Sequence, residues 1–155
     1  MRRNPVLIAI LAGGGIAGTL DIIYAITYSA FRGVPAMRIL QSVASGLLGQ
    51  AAYEGGAPTA VLGLCLHFAM ALLIAAIFYL ASRRLAFLTR YAVVSGLAYG
   101  VVVYLVMNFV VIPLSAFPTP MTYTPVRVAI NIVAHMLLFG LPIALATRRA
   151  SIGRT

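Results

Sequence analysis

Four polar side chains that could take part in chemistry lie within otherwise apolar stretches of this sequence: Asp21, His67, Asn108 and His135. Asp21, Asn108 and His135 are each nine residues from one end of their stretch, and His67 is ten residues from one end of its own. If the stretches cross a membrane in alternating directions, helical rise places all four about 14 Å below the same surface. The spacing therefore predicts one polar layer shared by four helices.

The residue types in this layer suit a binding site or a proton relay. A carboxylate and two imidazoles at one depth can exchange protons, coordinate a metal or hold a polar ligand. An ionised Asp21 at a helix centre costs about 3 kcal/mol on insertion, so we expect it to be protonated, paired with a histidine or hydrated. Asn131, one helical turn before His135, belongs to the same face. The competing interpretation is that these side chains only form hydrogen bonds that fix helix packing, each of which stabilises the bundle by about 1 kcal/mol or less.

The composition indicates which solvent surrounds the helices that position this layer. Hydrophobic residues make up 63% of the 155 residues and charged residues only 8%, against about 25% charged in a typical soluble domain. Four apolar runs exceed the roughly 20 residues that cross a hydrocarbon core about 30 Å thick. We therefore predict an all-α membrane protein, a single transmembrane domain over residues 1–155, with four transmembrane helices at about 6–30, 57–82, 91–117 and 126–147.

The segment between the first two runs is predicted to be a shorter, amphipathic helix at about residues 36–53. About 16 helical residues extend only about 24 Å, which is marginal for a crossing. We therefore expect an interfacial or re-entrant helix in the first outer loop. Through Arg38 and Gln41 it would cover the polar layer as a lid, and Arg127 at the start of the fourth run would attract an anion at the entrance.

The distribution of arginine predicts the orientation of the chain. All eleven basic residues are arginine, and four spans place eight of them on the side of the termini and three (Arg32, Arg38 and Arg127) on the other. Five spans give the same split with the N-terminus outside, but the arginines that precede the first run favour an internal N-terminus. Both termini are therefore predicted to be cytoplasmic. Because the arginines cluster at the ends of apolar runs and form no basic stripe, no nucleic-acid partner is predicted.

Five segments carry a resemblance that covers nearly the whole chain: GTLDIIY (18–24), LQSVASGLLG (40–49), LCLHF (64–68), MNFVVIPLS (107–115) and GLPIA (140–144). Together they resemble a family of small uncharacterised bacterial four-helix inner-membrane proteins. The resemblance implies a bacterial inner membrane and a four-helix fold, and it implies no particular activity.

The function predicted from these residues is the binding or movement of a small molecule or ion through the polar Asp/His site, in the outer half of the bundle. The sequence has no phosphate-binding glycine loop, nucleophile elbow or pair of carboxylates, so no enzymatic activity is predicted. The lipid bilayer is the expected partner. At this length, a transporter would need a homodimer to supply the second half that inverted repeats normally provide.

Two alternatives remain open for the polar layer. The chain could be a structural or accessory membrane subunit, in which the layer fixes the register of the helices. It could also be a b-type haem protein, because His67 and His135 lie on helices that are diagonal in an up-down bundle. Asp21 at the same depth argues against a porphyrin there, so no cofactor is predicted. Any metal would be bound by the same two histidines.

Overall fold

A computed structural model describes residues 5–119 and 122–152, and within these ranges the chain is helical apart from short connections and has no strand. Among the described residues, the first helical residue is Pro5 and the last is Ile152. The main helices are α1 (Ala9–Ala30), α2 (Ala36–Leu48), α3 (Gly56–Ser82), α4 (Ala92–Leu114) and α5 (Pro125–Ser151). A 3-10 segment, Gly49–Tyr53, follows α2, and one helical turn, Phe87–Arg90, precedes α4.

The four long helices α1, α3, α4 and α5 are long and apolar enough to cross a membrane, as the sequence predicted. Their outer faces carry large apolar side chains that are more than half exposed. Ile23 is 55% exposed, Leu80 63% and Val94 68%. A surface of this kind is suited to lipid, because water would not tolerate so much contiguous apolar area on a soluble monomer.

The long helices surround a core of small aliphatic and aromatic side chains. Helix α1 packs against α3 and α5, and α4 packs mainly against α5. Phe78 and Tyr99 connect α3 with α4, their ring centroids 4.8 Å apart, and the Tyr99 hydroxyl donates to the carbonyl of Ile74 at 2.8 Å. The core consists of Ala17, Ala71, Ile74, Ala75, Phe78, Ala92, Val103, Phe139, Ile143 and Ala144.

Glycines allow α4 and α5 to approach each other closely. A Cβ atom on Gly140 would overlap the backbone of Gly96 and lie 2.8 Å from the Cα atom of Gly100. A Cβ atom on Gly100 would in turn overlap the backbone of His135. Small residues at helix crossings bring backbones into van der Waals contact, which replaces the hydrophobic driving force that lipid cannot provide. We call the part of the bundle around this crossing and the core the closed half.

Helix α2 lies directly on α3, again because of a glycine. A Cβ atom on Gly63 would overlap the carbonyl group of Leu40. The helix ends at Gly49, whose φ of 60° is readily adopted by glycine. The amide of Ala116 donates to the carbonyl of Gly46 at 2.9 Å, so α2 is also tied to the segment that follows α4.

Two wide helical turns interrupt the regular α-helix in α4 and α5. They are π-helical segments, Met107–Val111 and His135–Gly140. Each ends two residues before a proline, Pro113 or Pro142, which cannot donate the backbone hydrogen bond that an α-helix needs at its position. Such turns often occur at functional sites, and these two contain Asn108 and His135, respectively.

Candidate functional site

A cavity of about 540 Å³ lies between the helices at the end of the bundle where α2 is located, and we call this end the cavity half. All five main helices contribute to its walls. Its floor includes Ile74, Val103 and Phe139, which belong to the core of the closed half. Its polar and charged lining side chains include Asp21, Tyr24, Tyr28, Ser42, His67, Tyr104, Asn108, Tyr123, Arg127, Asn131 and His135.

Six of the eight side chains singled out from the sequence line this one cavity: Asp21, His67, Asn108, Arg127, Asn131 and His135. They come from four different helices, and counting residues from the helix ends had placed four of them, Asp21, His67, Asn108 and His135, in one layer. That they bind a ligand is still a prediction, since geometry alone assigns them no role.

The other two, Arg38 and Gln41, do not line the cavity. The Gln41 side chain is 4% exposed and donates to the carbonyl of Gly56 at 3.1 Å and to the hydroxyl of Thr59 at 3.4 Å. The guanidinium of exposed Arg38 lies 4.0 Å from the centre of the Tyr53 ring. The expectation that α2 covers the site through these two side chains is therefore not met. Arg38 and Gln41 instead attach α2 to its neighbours.

A different face of α2 forms the wall of the cavity. Ser42, Val43, Gly46 and Leu47 line it, at positions one turn apart on the helix. The close approach of α2 to α3 at Gly63 decides this orientation, because it buries Gln41, Ala44 and Ser45 against α3. The neighbouring face then points toward α1 and α4.

The two histidines are each fixed through one ring nitrogen. Nε2 of His67 lies 2.8 Å from the carbonyl oxygen of Gly18, and Nδ1 of His135 lies 2.9 Å from that of Asn131. Because a carbonyl oxygen only accepts, each of these nitrogens carries the proton. The second nitrogen, Nδ1 in His67 and Nε2 in His135, has no hydrogen-bond partner among the described residues. Each ring can therefore accept a hydrogen bond from a ligand, or bind a proton.

A short chain of hydrogen bonds connects α1 with α5 across the cavity. The Tyr24 hydroxyl donates to Oδ1 of Asn131 at 3.2 Å, and Nδ2 of Asn131 donates to the carbonyl of Arg127 at 2.7 Å. Asn131 is thus oriented by both of its polar atoms.

Asn108 is held within α4 and marks the wall opposite α1. Its side-chain Nδ2 donates to the backbone carbonyl of Tyr104 at 2.9 Å, and the backbone carbonyl of Asn108 accepts a hydrogen bond from the Tyr123 hydroxyl at 3.1 Å. Tyr123 also stacks on Phe109, with ring centroids 5.4 Å apart. The loop before α5 is thereby attached to the wide turn of α4.

Asp21 is the one acidic side chain at the cavity. We expected its carboxylate to be protonated, hydrated or paired with a histidine. It is half-buried, and within residues 5–119 and 122–152 it makes no hydrogen bond or ion pair. Water or a ligand in the cavity is therefore left to solvate this carboxylate, because a charged carboxylate without any partner in an apolar bundle costs several kcal/mol.

Tyrosines form a part of the lining whose importance the sequence reasoning underestimated. Tyr24, Tyr28, Tyr104 and Tyr123 all reach the cavity, but none of them was among the candidate site residues. The available signal was spacing, because Tyr24 follows Asp21 by three residues and Tyr104 precedes Asn108 by four, which puts each pair on one helical face.

No three His, Cys, Asp or Glu side chains come together as a metal site in the part of the chain that the structure describes. Comparison with known protein families, with curated proteins and with solved structures finds no match to this chain. The resemblance to small bacterial inner-membrane proteins therefore stays an expectation from the sequence.

Proposed function

We propose that this chain is an integral membrane protein that binds a small molecule in the cavity between its helices. The observation that carries the proposal is the convergence of six polar or charged side chains, singled out from the sequence, on one cavity of about 540 Å³ in an otherwise apolar bundle. Ligand sites in proteins commonly have about 300–1,000 Å³ and combine an apolar lining with a few oriented polar groups. Asp21, His67 and His135 would contact the polar part of the ligand, and Ile74, Val103 and Phe139 its apolar part.

The proposed topology puts the cavity half toward the periplasm of a bacterial inner membrane. The arginines near the ends of α3 and α5, together with those at the N-terminus, are on the opposite side in this arrangement, in accord with the positive-inside rule. Helix α2 would then lie at the outer surface, as an interfacial or re-entrant helix. Movement of the ligand across the membrane would involve a homodimer in this proposal, with the second copy as the other half that inverted repeats supply in many transporters.

Cysteine accessibility tests whether water enters the cavity and on which side of the membrane the cavity opens. The single native cysteine, Cys65, is exposed on α3 and is first replaced by alanine. In that background Ala25→Cys places a thiol on the cavity wall, whereas Ile23→Cys places one on the outer face of the same helix, two residues away. We expect a charged, membrane-impermeant methanethiosulfonate added to intact cells to react with the first thiol and not with the second, because only the first is reached by water.

The other outcomes separate the alternatives. Labelling of Ala25→Cys only from the inner side, in inverted vesicles, would reverse the topology. If neither thiol reacts, water does not enter the bundle. That result would favour the alternative of a structural or accessory subunit, in which the polar layer only fixes the packing of the helices. That alternative has some support in the Tyr24–Asn131 and His67–Gly18 hydrogen bonds. A stoichiometric Soret band in purified protein, lost in His67→Ala, would favour b-type haem instead.

A further inference from the structure

A second, smaller pocket of about 380 Å³ adjoins the cavity where α1 ends and α5 begins. Its lining residues are Tyr28, Arg32, Thr122, Thr124, Val126 and Arg127, and we call this pocket the vestibule. Tyr28, Thr122 and Arg127 also line the cavity, so the two spaces have a common wall. The vestibule therefore lies beside the outer part of the cavity.

The vestibule is lined by two positive charges and no described negative one. The chain has only two acidic residues. Asp21 precedes the end of α1 by nine residues, about 14 Å of helix, and Glu54 lies in the connection before α3. Two guanidinium groups that face one small pocket repel each other, and no described carboxylate lines the pocket to offset that repulsion. An anion between them would turn the repulsion into attraction.

The donor groups of both arginines are available for such an anion. The guanidinium of Arg32 lies 5.9 Å from the centre of the Tyr28 ring, a cation–π contact that leaves its N–H groups unused. The Arg127 side chain makes no hydrogen bond to a described residue, although its backbone amide donates to the Thr124 hydroxyl at 3.4 Å. Hydroxyls of Tyr28, Thr122 and Thr124 add further donors around the same space.

We propose that the vestibule binds an oxyanion, a phosphate or carboxylate group, between Arg32 and Arg127. Arginine suits these groups because its planar guanidinium can donate two parallel hydrogen bonds to two oxygens. The proposal goes beyond the function proposed above, because a ligand of the cavity need not be charged. A free anion and the head group of a lipid or other amphiphile both present the same oxyanion chemistry at this position.

Thermal unfolding of the purified protein in a neutral detergent tests the proposal. The midpoint is followed by circular dichroism during titration with inorganic phosphate or with decyl phosphate, against chloride at matched ionic strength. Binding to the folded state raises the midpoint in a concentration-dependent way. We expect Arg32→Gln and Arg127→Gln each to raise the half-saturating concentration roughly tenfold or more, since each removes a charge-assisted contact. Arg38→Gln is the matched control, an exposed arginine that lines neither pocket, and it should leave the titration unchanged.

The two probes identify the source of the oxyanion. Stabilisation by both indicates a site for free anions, and stabilisation by decyl phosphate alone indicates a head group whose chain must also be bound. Arg32→Lys and Arg127→Lys keep the charge and should recover part of the affinity, which separates loss of binding from loss of folding. The proposal is overturned if neither phosphate stabilises the protein, or if Arg38→Gln weakens binding as much as Arg32→Gln. Either result leaves the cysteine experiment untouched, so the two proposals can fail separately.

Discussion

The closed half and the cavity half are built from the same four long helices, but different residues set the distance between those helices. In the closed half, glycines bring α4 and α5 into backbone contact, and small residues such as Ala71 and Ala144 fill the core. In the cavity half, tyrosine, histidine and asparagine side chains stand between the helices and are joined by only a few hydrogen bonds. The comparison indicates that residue size and polarity, rather than overall hydrophobicity, determine where an apolar bundle opens.

The wide turns of α4 and α5 lie at the boundary between the two halves. Phe139, inside the turn of α5, is both part of the buried core and part of the cavity floor. Gly140, the last residue of that turn, lies at the close crossing with Gly96 and Gly100. The transition from close packing to open space therefore takes place within about one helical turn.

The largest loss of stability is expected from a methyl group added where α4 and α5 cross. Gly140→Ala would put a Cβ atom into the backbone of Gly96, so α4 and α5 must separate, at a cost of about 2–3 kcal/mol for overpacking. Gly15→Ala is the control, because a Cβ atom there meets nothing within 4 Å. Unfolding in mixed micelles with increasing dodecyl sulfate measures the difference. Equal stability of the two variants would mean that the closed half is not closely packed.

A smaller and more local effect is expected where α2 meets α3. Gly63→Ala should push the Leu40 carbonyl away and loosen the contact of α2 with α3, without opening the closed half. We expect the variant to lose about 1–2 kcal/mol of stability. Hydrogen exchange should rise over Ala36–Leu48 alone. Gly46→Ala, on α2 itself, is the control, since its Cβ atom would lie at an ordinary 3.7 Å from Ser115. Exchange that rises throughout the bundle would show that α2 is needed for the whole fold.

The smallest effects come from two tyrosine hydroxyls, one in each half. Tyr99→Phe removes the hydrogen bond to the Ile74 carbonyl in the closed half and should cost about 1 kcal/mol. Tyr24→Phe removes the bond to Asn131 at the cavity and should cost about 0.6 kcal/mol or less, because water can replace the hydroxyl. The same unfolding assay compares them. A larger loss for Tyr24→Phe would indicate a dry cavity and a packing role for its polar side chains.

Much of the fold and of the polar layer could be predicted from the sequence, because both depend on distances along single helices. The apolar runs determine the four long helices, and equal spacing from their ends brings Asp21, His67, Asn108 and His135 to one cavity. The orientation of α2 could not be predicted in this way. It depends on the contact between Gly63 and Leu40, and nothing in the periodicity of α2 indicates which of its polar faces meets α3. Arg38 and Gln41 were therefore assigned to the wrong side.

Glycine pairs four residues apart are a common means by which separate transmembrane helices recognise each other. Here Gly14 and Gly18 already contact α3, and Gly96 and Gly100 already contact α5, all within one chain. A second copy would meet mainly aliphatic faces such as those of Leu80 and Val94, which acyl chains solvate equally well. Two copies then gain little when they exchange lipid neighbours for protein neighbours. The stoichiometry of any assembly should consequently follow the thickness and composition of the bilayer.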